Sequence, residues 1–137
     1  GIGHKFPVPS GNAVLRTRLT PDSNLIQDDF RHEQSLVFEL DEGVVIFNSC
    51  SHAGADNIIS EVMQVYPGQK ILAMIGGFHL FNKDEEYIRA FARRVMDPCV
   101  HDLYTGHCTG KKAFDILCGQ LGRKVHAMKA GGVFEVG

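Results

Sequence analysis

No stretch of this chain stays apolar for long: its main runs, at residues 44–47 and 71–75, fall far short of the roughly 18 residues a membrane-crossing helix needs. Basic residues are equally unclustered. With 14 Lys and Arg against 16 Asp and Glu, the formal net charge is −2, and no Lys/Arg run makes a footprint for nucleic acid. The four cysteines, Cys50, Cys99, Cys108 and Cys118, form no CxxC pair and no disulfide-type framework. Free thiols in a reducing cytoplasm are therefore expected. The first residues, Gly-Ile-Gly-His-Lys-Phe-Pro, carry no apolar leader. GxSxG, HExxH and GxxxxGK[ST] are all absent, so the hydrolases, proteases and nucleotide-binding loops they mark gain no support.

What is present is enough for one domain with a real core: 137 residues, 44% hydrophobic and 22% charged. Residues 1–27 hold Gly1, Gly3, Pro7, Pro9, Ser10, Gly11 and Pro21 without any sustained period, and read as an extended arm or loop. The folded part is expected over 28–137. Apolar runs at 35–40 and 44–47 flank Asp41-Glu42-Gly43, a hairpin signal. Helical spacing follows at 55–66, 83–96 and 111–121, alternating with strand-like runs at 71–75, 100–104 and 124–136. The order ββαβαβαβ predicts an α/β fold with a mixed, mostly parallel sheet and an antiparallel edge. One-handed crossovers put the helices on one face, which leaves the other face apolar and uncovered.

Three times a strand-like run ends in a histidine among small residues: Ser51-His52-Ala53-Gly54, Gly77-Phe78-His79-Leu80 and Gly106-His107-Cys108-Thr109. The histidines fall at intervals of 27 and 28 residues, close to the roughly 30-residue length of one βαβ unit. Parallel strands share one carboxyl edge, where ligands of open α/β sheets bind. His52, His79 and His107 are therefore the candidate metal ligands, the alternative for each being a hydrogen-bonded structural histidine. Cys50 and Cys108 sit beside these loops, and either is a soft ligand or a small residue at a tight turn. Thr109 and Gly110 open a helix and can receive an anion, or Thr109 simply caps that helix. His4, His32, His101 and His126 lack such a setting. The polar segment 28–34 reads as a solvated loop capping a strand.

Asp28-Asp29, Glu33-Gln34-Ser35-Leu36, Cys50-Ser51-His52-Ala53-Gly54, Gly76-Gly77-Phe78-His79-Leu80 and Gly106-His107-Cys108-Thr109-Gly110 together resemble the C-terminal half of metallo-β-lactamase-fold proteins. The branch they resemble is dihydropterin-aminobenzene ribofuranosyl phosphate synthase-like. The resemblance implies half of an αβ/βα sandwich and a metal-dependent hydrolase, with zinc as the expected divalent ion and a phosphoester or pterin-type small molecule as substrate. It makes the residues matching His52 and His107 metal ligands, and places His79 where most of the superfamily has a metal-bridging aspartate. The family's first ligands come from a His-x-His-x-Asp-His loop, and no His-x-His pair occurs in this sequence. The alternative is a truncated or degenerate half-domain without catalysis. Either a missing N-terminal half or a second copy, forming a homodimer, is expected to cover the apolar sheet face. No catalytic residue beyond the ligands is read from the sequence.

Overall fold

The structure, a computed structural model, describes residues 5–6, 8–9, 11–96 and 100–136; His4 and Cys99 lie outside the described residues. The arm carries more local order than its composition predicts. A short 3-10 turn at Asn12–Val14 leads into two-residue strands β1 (Arg16–Thr17) and β2 (Ile26–Gln27), which pair antiparallel. The arm also docks on the domain: Asn57 exchanges hydrogen bonds with the backbone of Phe6, and Asn12 is fully buried.

The main sheet begins with the hairpin of β3 (Leu36–Leu40) and β4 (Gly43–Cys50), Leu40 pairing with Gly43 across the tight turn. Then α1 (Ala55–Val65), β5 (Ile71–Gly77), α2 (Glu85–Met96), β6 (Val100–Thr105), α3 (Lys111–Leu121) and β7 (Val125–Ala127) alternate. The strand order is β3-β4-β5-β6-β7, antiparallel at the first pair and parallel thereafter. That is the ββαβαβαβ order expected, because each helical stripe has to return the chain to the same sheet edge. Helix α2 illustrates the local logic. Asp84 caps it by accepting the Tyr87 N–H at 2.7 Å, acids Glu85 and Glu86 fill its first turn and Arg93 and Arg94 its last, as the helix dipole favours.

All three helices bury their stripes on one face. Ile58, Ile59 and Val62 of α1, Ile88, Phe91 and Val95 of α2, and Ala113 and Leu117 of α3 share one core with Val44, Ile46, Ile71, Met74 and Leu103. On the opposite face Val45, Leu72, Ala73, Ile75 and Tyr104 form a smaller cluster. That face is partly covered, contrary to expectation. The last strand is only three residues long, and after a turn closed by Gly132 N–H to Lys129 O the chain folds back, stacking Phe134 on Tyr104 at 4.1 Å and packing Val136 beside it. Leu36, Phe38, Leu40 and Phe47, at the β3 edge of the same face, stay exposed, between 37% and 58%.

Candidate metal centre

The site grows from three adjacent strand ends. Between Phe47 and Cys50 the β4 ladder takes one extra residue against β5, so that Cys50 comes opposite Gly77. Such a bulge re-aims the side chains that follow it. Gly76 and Gly77 then let the backbones close in: a Cβ on Gly76 would lie 2.0 Å from the Asn48 carbonyl oxygen, and one on Gly77 only 2.5 Å from the Cys108 sulfur. Only glycine fits at 76, and a Cβ at 77 would displace the Cys108 sulfur.

Cys50, His52 and His79 each bring a donor atom to within 4.8 Å of the other two, and among the described residues no other such group of three or more forms. Cys50 Sγ lies 3.1 Å from His79 Nδ1 and 2.9 Å from Cys108 Sγ. The His52 and His79 rings meet edge to face, with centroids 4.6 Å apart. Behind His52 stands Glu33, its side chain only 7% exposed. Glu33 Oε1 accepts the His52 ring at Nδ1 (2.8 Å) and the His52 backbone N–H (2.6 Å), while Oε2 accepts the Ala53 N–H (2.9 Å). A carboxylate on Nδ1 fixes the proton there and leaves Nε2 with its lone pair, the arrangement that orients metal-binding histidines. Phe30 stacks on the His52 ring, with centroids 5.7 Å apart.

Burial and the neighbouring charges of His52 and Lys83 lower the His79 pKa to about 4, so its imidazole is neutral at physiological pH, as a ligand must be. Burial, together with the hydrogen bond to Cys108 and the charges of Cys108 and Glu33, pushes the Cys50 thiol up to about 12. A cation binding there has to displace that proton. One sulfur and two imidazoles in one small volume are the donor chemistry of zinc-type ions. The residues present therefore fit a divalent metal.

The described non-glycine residues with left-handed backbone are Phe30, His79 and His107, at φ 56°, 50° and 50°. Backbone strain of this kind persists where the surroundings enforce it and clusters at functional sites. Two of the three contribute to the donor cluster or its packing. His107 does not: it starts the short 3-10 turn after β6, exposed, on the same sheet edge but outside the cluster. Its neighbour Cys108 points inward instead. Thr109 and Gly110 use their polar groups internally. Thr109 donates to Thr105 Oγ1 at 2.6 Å, because Thr105 donates to the Gly76 carbonyl, and it accepts the Phe78 N–H at 2.9 Å. Gly110 N–H turns to the His107 carbonyl at 3.4 Å. This chain of hydroxyls staples the loop carrying His79 to the loop carrying Cys108 and leaves Thr109 no proton to offer an anion.

Sequence reasoning missed two residues of this site. Glu33 stood inside a segment read as a solvated loop, and the only signal for it was the motif it shares with the resembled family. Asn12 lay in the arm. Its side-chain amide donates to the His52 carbonyl at 2.7 Å and its carbonyl oxygen accepts from Lys83 Nζ at 3.2 Å, so the arm props the loop that carries His52.

No family model matches the chain. Over 114 residues it is 27% identical to the 7,8-dihydropterin-6-methyl-4-(beta-D-ribofuranosyl)-aminobenzene-5'-phosphate synthase of Methanocaldococcus jannaschii, covering 83% of this chain and 39% of that protein. Its fold matches a solved metal-dependent hydrolase of the beta-lactamase superfamily with a TM-score of 0.79 and 31% identity, over 85% of this chain and 45% of the other. Both relatives fit the resemblance carried by the five motifs. The chain spans less than half the length of either.

Proposed function

We propose that this chain is the metal-binding half of a metal-dependent hydrolase of the metallo-β-lactamase superfamily, with Cys50, His52 and His79 holding a zinc-type ion. The observation that carries the reading is the buried Glu33 carboxylate aligning His52 while two further donors converge beside it. When bound, such an ion lowers the pKa of water to near neutrality and so supplies a hydroxide nucleophile. The chain's own part is to hold the ion: Glu33 fixes the His52 tautomer, Gly76 lets β5 close on the β4 backbone at Asn48, and the Thr105–Thr109 staple fixes the loop of His79. His107, exposed on the same edge, is available as a further ligand once the rest of the site is assembled. The substrate proposed is a phosphoester or pterin-type small molecule, in keeping with the dihydropterin phosphate named for the Methanocaldococcus jannaschii synthase.

The exposed Leu36, Phe38, Leu40 and Phe47 favour a second statement: the chain works as one half of an assembly, a further αβ half packing on this sheet face. That half is either a segment bearing His-x-His-x-Asp-His or a second copy in a two-fold dimer. Zinc titration followed by assay on generic phosphodiesters, with the chain alone and with such a half added, tests the hydrolase reading. Zinc binding with activity appearing in the assembled form is expected, and no turnover even when both halves are present rules the hydrolase out. Light scattering tests the second statement. A monomer at micromolar concentration that takes up no partner half contradicts it.

A further inference from the structure

The metal reading leaves one feature unused: Cys108, whose sulfur lies closer to Cys50 than two thiols ordinarily approach, at 2.9 Å. Three observations converge on this pair. The sulfurs come from opposite neighbours of β5, Cys50 at the end of β4 and Cys108 in the turn after β6, and they meet over Gly77, which lacks the Cβ that would push Cys108 away. Both cysteines are partly exposed, so a small oxidant reaches them. Closing to a disulfide length of about 2.05 Å requires the sulfurs to move together by roughly 0.9 Å. Cys118, by contrast, packs against the helix-side core on α3.

We propose that Cys50 and Cys108 are a reversible disulfide pair whose oxidation removes Cys50 from the donor cluster and so switches metal binding off. The step balances with a low-molecular-weight disulfide as oxidant. Its S–S bond breaks, one protein S–S bond forms between Cys50 and Cys108, and the two thiol protons leave on the two small thiols released. The protein sulfurs lose two electrons and the small disulfide gains them. Reduction by a dithiol runs the same exchange backwards. A metal bound through Cys50 competes with the oxidant for the same sulfur, so each protects against the other. The bond itself needs nothing from the hydrolase reading; its consequence for metal rests on that reading.

The test treats the reduced chain with oxidised glutathione, alkylates the remaining thiols, and maps the digest by mass spectrometry without reduction. A cross-linked peptide pair containing Cys50 and Cys108 is expected, with zinc affinity of the oxidised chain lower by about tenfold or more, the scale of losses at metal sites, and restored by dithiothreitol. Preloading with zinc slows the cross-link. C108S forms no cross-link, whereas C118S behaves as the parent chain. Cys50 and Cys108 both remaining alkylatable, or carrying only separate glutathione adducts, overturns the pair. A cross-link that leaves zinc affinity unchanged overturns the switch. Should the reduced chain bind no zinc at all, the metal reading and the switch fall together, while the mapped bond still stands or falls by itself.

Discussion

Two histidine–carboxylate groups of this molecule differ in what surrounds them, and only one of the two gathers further metal-type donors. At the carboxyl ends of the strands, buried Glu33 accepts His52 at Nδ1, and a second imidazole and a thiol converge nearby. Elsewhere on the sheet, Asp102 of β6 is shared between His101 (2.7 Å) and His126 (2.6 Å), and among the described residues no further metal-type donor joins them. Size does not separate the ends either. A depression of about 850 Å³ lies at the opposite strand ends, lined by the mixed charges of Asp41, Glu42, Lys70 and Lys124. Those charges offset one another in solvent. What sets the donor cluster apart is a carboxylate that orients one histidine while other donors approach, beside left-handed backbone at Phe30 and His79.

The largest expected effect sharpens this contrast directly. His52→Ala removes a donor, and zinc affinity is expected to fall by roughly a hundredfold or more; Glu33→Gln, which leaves the donors in place but loosens the His52 tautomer, costs about 10–100-fold. Lys70→Ala and His101→Ala, at the other end, leave affinity as it is. Competition titration against a chromophoric chelator reads all four. Equal losses at both ends would break the comparison, and an intact affinity in Glu33→Gln would reduce Glu33 to a loop anchor.

A smaller effect is expected from the arm. Asn12→Ala leaves the His52 carbonyl and Lys83 Nζ without the amide that joins them, so stability should drop by about 1–3 kcal/mol, the cost of breaking a buried hydrogen-bonded group. Zinc affinity should fall only severalfold, because every donor remains. Denaturant unfolding and the same titration separate the two quantities. A stability loss with no change in affinity would show that the arm supports the fold and not the site.

Much of the architecture could be read beforehand because periodicity is local information. Helix α3 has the expected bounds, α1 ends one residue earlier, and the alternation that set the sheet order depends only on where apolar stripes and glycines fall. The candidate site was less legible. His52 and His79 were findable because a strand ending in a small-residue loop has a sequence signature. His107 carries that same signature, yet the left-handed turn at its own position accompanies Cys108 turning inward, a detail that no spacing encodes. Glu33 and Asn12 reach His52 across 19 and 40 residues of chain, so their roles exist only in the folded state. The covered part of the second sheet face has the same cause: Gly131 and Gly132 announced a break, but not that Phe134 would return to Tyr104.

The smallest effect concerns Asp102, the carboxylate outside the donor cluster. Burial by itself would raise the Asp102 pKa, but the hydrogen bonds from His126 and His101 and their charges outweigh it and hold the acid below its usual value. A depressed carboxylate pKa means that the unfolded chain binds the proton more readily than the folded one. The stabilisation from Asp102 is therefore complete above the ordinary aspartate pKa of about 3.9 and is lost as pH falls through the lower, folded value. Asp102→Asn should cost about 1 kcal/mol or less near neutrality, as for a partly exposed pair. The gap to the parent chain should close progressively below about pH 4, while zinc affinity at neutral pH stays as it was. Urea unfolding of both chains across that range is the measurement. A gap that stays constant into acid would mean that Asp102 acts through packing and not charge, and a loss of zinc affinity would join the two histidine–carboxylate groups that the structure keeps apart.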